Sequence, residues 1–357
     1  MYIESKKYLQ KLLIISGSLL IFIALIVITI DPFFAYHAPI LGLKPVQTKQ
    51  EYQVNGALEH LSYDSILVGS SVTTNINNNE LDSFYGCNTI KATGNCASPS
   101  LLCQYILKAY KYQSLENVFW GFDVFSLYSP LDIETTENQV IYLRNENLID
   151  DVNYLWNIDV LFKDSLYMIT TSYLHEYDDG TAYNFAQYTS FGVSETLTSY
   201  YPSGEISAML PPDYNFDIVE ENVQCIKSIV LNHPETTFRF FLPAYSILWW
   251  DRAYREGQTE AYIYAMDYSI SELLECENVE FYAGVFNEPD VLLNLNNYCD
   301  LTHASFEINQ LTIETMMTGE SRLTMENYKE ELQAMLDVLD EFEIRLEEEG
   351  TEWLYDY

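Results

Sequence analysis

A serine hydroxyl becomes a nucleophile only when a base takes its proton. Two short stretches of this chain could supply the pair: Gly69-Ser70-Ser71 near the start and Asp300-Leu301-Thr302-His303 near the end. Of the five histidines, His37 and His60 precede the first expected strand, His175 lies in a region without a clear repeat, and His233 sits in an Asn-His-Pro turn. His303 differs in following the last expected strand and its loop, on the side where the carboxyl ends of a parallel sheet open into a crevice. At a loop-to-helix junction the D-x-x-H spacing lets the Asp300 carboxylate fold back onto the imidazole Nδ1–H. That fixes the tautomer and leaves Nε2 free to accept the serine proton. The plainer reading is that Asp300 caps the following helix and His303 is solvated; Gly-Ser-Ser at the end of the first strand tips the pair towards chemistry.

The elements that must position these residues alternate. Ser65–Val68 is a short apolar run suited to a strand buried on both faces, ending at Gly69. Cys87–Ala92 reads as a second strand, Ser98–Tyr112 as a helix with Ser98 at the N-cap and Pro99 at the first position, and Asn117–Trp120 as a third strand leading into Gly121-Phe122-Asp123. After residue 216 the rhythm resumes with a helix over Asp217–Leu231 and a strand over Thr237–Leu242 closed by Pro243. A helix over Thr259–Cys276, a strand over Val279–Ala283 and a polar loop over Asn287–Asn297 follow. Helices over Ser305–Thr318, capped by Gly319, and over the acidic stretch Met325–Glu349 complete the chain. The alternation predicts an α/β fold with a parallel sheet of about five strands and helices on its faces.

Residues 124–216 break the rhythm and read as an insertion in a domain spanning 64–320. Their aromatics would form a small core of their own or stack on sugar rings at the mouth of the site. Residues 31–63, of weak periodicity, read as a membrane-proximal connector that packs on the domain, and 321–357 as an acidic C-terminal helix.

Charge and hydropathy narrow the setting. With 17 Lys and Arg against 53 Asp and Glu, the net charge of −36 makes nucleic acid an unsuitable partner. Leu12–Ile30 is uncharged and almost wholly apolar, and as a helix would span roughly 28 Å, enough to cross a bilayer core. Lys6, Lys7 and Lys11 precede it, so residues 1–11 are expected in the cytoplasm and everything after Asp31-Pro32 outside. A cleaved signal peptide is the competing reading, but the run exceeds the usual h-region and no small-x-small site follows. Six cysteines fall on the expected outer side, where disulfides are permitted; they contain no C-x-x-C, and no zinc site is expected.

Over roughly Asp64 to Gly319 the sequence resembles the SGNH, or GDSL-type, hydrolase superfamily, and within it the membrane-anchored branch, polysaccharide O-acetyltransferase-like, that works on cell-envelope polymers. The resemblance rests on Gly69-Ser70-Ser71 after the first strand, Ala92-Thr93-Gly94-Asn95 after the second, Gly121-Phe122-Asp123 after the third, and Asp300-Leu301-Thr302-His303. It implies a three-layer α/β/α, flavodoxin-like fold, with Ser71 as nucleophile, His303 as base and Asp300 as the acid that orients it. It also implies an oxyanion site built from the N–H groups of Ser71 and Gly94, with Asn95 as an alternative donor. At Asp123 the chain departs from the pattern, since the family usually carries an asparagine there, and an ionised carboxylate cannot donate a hydrogen bond to an oxyanion. By resemblance the protein would be a membrane-anchored, extracytoplasmic serine esterase or O-acyltransferase without a cofactor, acting on an acylated or acyl-accepting envelope glycan. The alternatives are a catalytically weak or inactive glycan-binding or assembly factor on the same fold, and a subunit docked to a membrane acyltransferase.

Overall fold

The computed structural model describes residues 2–131, 140, 142–145, 147, 149–200, 206–350 and 352–355. Parts of the expected insertion and of the C-terminal segment therefore lie outside the described residues. The chain divides into two compact units, one formed by Met1–Ser62 with Glu137–Asp179 and the other by Tyr63–Thr136 with Gly180–Tyr357.

The first unit opens with the helix Tyr2–Ile30, within which Ser5–Ile30 is long and apolar enough to cross a membrane; a signal sequence has the same character. Most of its apolar side chains, Leu12 to Ile15 among them, are exposed. The helix ends at Asp31, whose buried carboxylate collects the orphan amides of the turn that follows. It accepts from the N–H groups of Ala35, Tyr36 and His37 at 2.9, 2.7 and 3.0 Å, and from the Tyr154 hydroxyl at 2.7 Å. The stretch read as a connector of weak periodicity contains the helix Gln50–His60, whose buried set includes Gln50 and Gln53. Gln53 anchors that helix by donating to the carbonyls of Pro32 and Val46, both at 2.8 Å. Polar residues on its inner side are why the apolar period was too weak to predict a helix.

The second unit is a mixed α/β structure around a six-stranded sheet: β1 Ser65–Gly69, β2 Thr89–Thr93, β3 Asn117–Gly121, β4 Thr237–Phe241, β5 Val279–Tyr282 and β6 Arg322–Leu323. The strand order is β2-β1-β3-β4-β5-β6, all pairs parallel except the last. The first five strands stand at or within two residues of the expected runs. β6 is an addition of two residues, too short to leave a periodic signal.

Register places alternate side chains on opposite faces. Leu67 lies beside Phe119, and Phe241 beside Tyr282. These four form one core cluster with Leu81 of the helix Asn78–Tyr85 and Ile313 and Met316 of the helix Phe306–Thr318. Each such fully buried side chain contributes about 1.5–3 kcal/mol. The helices Pro99–Tyr112, Phe216–Asn232 and Thr259–Leu274 pack on one another in sequence order. Ser98 caps the first of them as expected, its Oγ accepting from Leu101 N–H at 3.4 Å. A further helix, Ile247–Arg255, follows β4, and the loop expected over 287–297 contains a helical turn at Pro289–Leu292. The order 2-1-3 at one side of the sheet creates a topological switch point between β1 and β3, where a crevice opens at the carboxyl ends of the strands.

Candidate active site

Two glycines shape the end of β1. Ser70 is extended and Ser71–Thr73 forms a single 3-10 turn, so the chain folds back over the strand ends and drops the Thr73 side chain between Gly69 and Gly121. A Cβ on Gly69 would meet Thr73 Oγ1 at 2.2 Å and one on Gly121 at 1.9 Å. A side chain at either position would therefore displace the turn that presents Ser71. The Thr73 hydroxyl is itself buried without a hydrogen-bond partner among the described residues.

His303 arrives from the far end of the sequence on a loop closed by the isolated antiparallel bridge Tyr298–Ala304, with Cys299 N–H donating to His303 O at 3.2 Å. Inside that loop Asp300 Oδ1 accepts from the N–H groups of Thr302 and His303 at 2.8 and 2.9 Å, a local Asx turn. Its other oxygen lies 2.6 Å from His303 Nδ1, and His303 Nε2 lies 2.8 Å from Ser71 Oγ. Burial works against the charged form of Asp300. The hydrogen bond and charge of His303, aided by the two amides, outweigh it and bring the carboxyl down to about 2. The Phe185 ring stands edge-on to the imidazole, with centroids 5.4 Å apart at 85°.

Asp123 follows β3 and caps the 3-10 turn Val124–Tyr128, accepting from Phe125 N–H at 3.1 Å. The Ser70 hydroxyl reaches its Oδ2 at 2.8 Å, and the Tyr245 hydroxyl bonds to Oδ1. Burial pushes the Asp123 carboxyl up from the ordinary range, against these hydrogen bonds. Asp123 and the three residues Ser71, His303 and Asp300 line one cavity of about 390 Å³, walled by Phe125, Tyr245 and Trp249.

The structure thus brings Ser71, His303, Asp300 and Asp123 together, but not Gly94 or Asn95. Gly94 is buried, and its N–H donates to Gly69 O at 3.1 Å, extending the β1–β2 ladder one residue past Thr93. That amide is consumed by sheet pairing, which overturns the expectation that it faces an oxyanion. Asn95 is exposed and neither residue lines the cavity; the neighbouring Cys96 does. The Ser71 N–H makes no backbone hydrogen bond among the described residues and stays available.

Sequence reasoning missed Tyr245 and Trp249. Their signal was position: Tyr245 stands four residues beyond β4, where side chains face the crevice. Cys299 offers a third potential metal ligand, with its Sγ and the polar atoms of Asp300 and His303 within 4.8 Å of one another. The imidazole Nδ1 and the carboxylate already engage each other there.

No family model matches this chain, and no curated protein matches it in sequence. A solved structure described as "The structure of a putative platelet activating factor from Streptococcus pneumonia" aligns over 76% of this chain and 90% of its own, at 11% identity and a TM-score of 0.38. That likeness is too distant to carry fold or chemistry across.

Proposed function

We propose that the protein is a membrane-anchored serine hydrolase or O-acyltransferase of SGNH type, with a three-layer α/β/α domain outside the cell, acting on ester groups of an envelope glycan. The observation that supports it is the continuous line from Asp300 through His303 to Ser71, at 2.6 and 2.8 Å. Ser71 Oγ attacks the ester carbonyl carbon while His303 Nε2 takes its proton, and the carbonyl oxygen becomes an oxyanion. Asp300 holds the Nδ1–H tautomer and stabilises the imidazolium. Collapse expels the alcohol, which takes the proton from Nε2 and leaves an acyl group on Ser71. Water, or a sugar hydroxyl, then attacks the acyl carbon by the same route in reverse.

The oxyanion receives the Ser71 N–H, and Asp123, whose burial favours the protonated carboxyl, would be a second donor only in that form. A neutral carboxylic acid paired with a tyrosine can donate where a carboxylate would repel. The aromatic wall of Phe125, Tyr245 and Trp249 suits stacking on a sugar ring. The N-terminal helix would hold the site at the outer membrane face, with Lys6, Lys7 and Lys11 in the cytoplasm.

Treatment of the full-length protein in detergent with a fluorophosphonate probe tests the reading: wild type labels at Ser71 and Ser71→Ala does not. Equal labelling of both, or of neither, overturns it and favours a glycan-binding or assembly role on the same fold.

A further inference from the structure

We propose that Lys91 is a positioning residue for this site, an internal cation that clamps the nucleophile turn to the segment bearing Phe185 and thereby holds His303 in line with Ser71. The inference rests on the serine-hydrolase reading and extends it to a residue that touches none of the reacting atoms.

Lysine is almost never fully buried unless paired, because its ammonium must be taken out of water. Lys91 is 1% exposed, in the middle of β2. Its Nζ donates to the carbonyls of Thr74, Ile76 and Ala182 at 3.0, 2.6 and 2.9 Å, with a longer contact of 3.4 Å to Gly180 O. Three ammonium protons match the three shorter contacts.

The four carbonyls belong to two segments. Thr74 closes the Ser71–Thr73 turn, its N–H donating to Ser71 O at 3.2 Å, and Ile76 lies two residues on, after Asn75. Gly180 and Ala182 precede Phe185, whose ring meets the His303 imidazole. Asn75 ties the same two segments again: its Oδ1 accepts from the N–H groups of Phe185 and Ala186, both at 3.1 Å. Thr93, two residues from Lys91 and on the same face of β2, accepts from the Thr74 hydroxyl at 3.0 Å. A continuous set of contacts therefore runs from the Ser71 turn through Lys91 and Asn75 to Phe185 and the imidazole. A neutral side chain would suit a core position at lower desolvation cost. The ammonium's use here is to gather carbonyls from both segments at once.

The test uses the full-length protein. Lys91→Met keeps the length and removes the charge. Its rate of fluorophosphonate labelling at saturating probe is expected to fall by about 10- to 100-fold, with the probe concentration for half-maximal rate within about twofold of wild type. Hydrogen exchange at the Phe185 and Ala186 amides should accelerate, and ethylammonium should restore labelling to Lys91→Ala. Wild-type labelling and exchange rates in Lys91→Met together with wild-type protection of those amides overturn the clamp. Should Lys91→Met fail to fold, Asn75→Ala and Phe185→Ala carry the test, and unchanged labelling in both overturns it. Wild-type protein that does not label overturns the serine-hydrolase reading instead, and the exchange rates then decide the clamp by themselves.

Discussion

Ser70 donates its hydroxyl to Asp123 Oδ2 at 2.8 Å, so the residue before Ser71 is held by the end of β3 while Ser71 faces His303. Two adjacent serines of identical chemistry are thereby given different work. Ser70→Ala should keep fluorophosphonate labelling, with stability lower by about 1–3 kcal/mol because a buried Asp123 oxygen loses its partner. Thermal melting and labelling measured on the same preparation separate it from Ser71→Ala, which should melt like wild type and label not at all.

Asp300→Asn keeps the shape of the loop but favours the wrong imidazole tautomer. Hydrolysis of an activated ester should slow by about 10⁴-fold in kcat, with KM within about twofold. A loss confined to KM would remove Asp300 from the proton path and leave it as a cap for the Thr302 and His303 amides.

The same carboxylate sets a pH dependence of stability. Its folded-state value of about 2 lies below the ordinary 3.8, so the unfolded chain binds its proton first as pH falls. The contribution is present above about pH 4 and is lost between about pH 4 and 2. Acid titration followed by tryptophan fluorescence should show wild type losing stability across that window more steeply than Asp300→Asn.

Asp123 runs in the opposite sense. Burial raises its carboxyl, so the folded state binds the proton more tightly and stability declines as pH rises from the ordinary 3.8 through the raised value. In the proposed reaction the same ionisation would put a negative charge in the cavity that Ser71 lines. Asp123→Asn supplies an amide donor that does not titrate, and should retain or raise esterase activity while removing the decline of rate with rising pH. A pH–rate profile identical to wild type would separate Asp123 from the oxyanion.

Thr73 offers a packing test. Gly121→Ala brings a Cβ onto Thr73 Oγ1 and should cost about 1–3 kcal/mol through displacement of the turn, with labelling falling alongside the melting temperature. Thr73→Val removes a buried hydroxyl that has no partner among the described residues and preserves shape, so it should be neutral or stabilising.

What the sequence determined by itself is what spacing encodes. The apolar runs ending in Gly69 and Gly121, the Ser98 cap and the alternation of strands and helices are local properties, and all are present. The Asp300–His303 pair spans three residues of one loop, so its hydrogen bond was legible in D-x-x-H. Only the tertiary structure decided the rest, because the partners are brought together by the order of strands in the sheet. Ser71 and His303 meet across 232 residues. Asp123 is held from β4's side by Tyr245, and Lys91, a charged residue in a strand pattern, turned out to be wholly buried among carbonyls. Gly94 shows the converse: it was expected to turn its amide towards an oxyanion, but parallel pairing with β1 took that amide. A backbone amide has one proton, and which acceptor receives it is settled by register, which no spacing along the chain records.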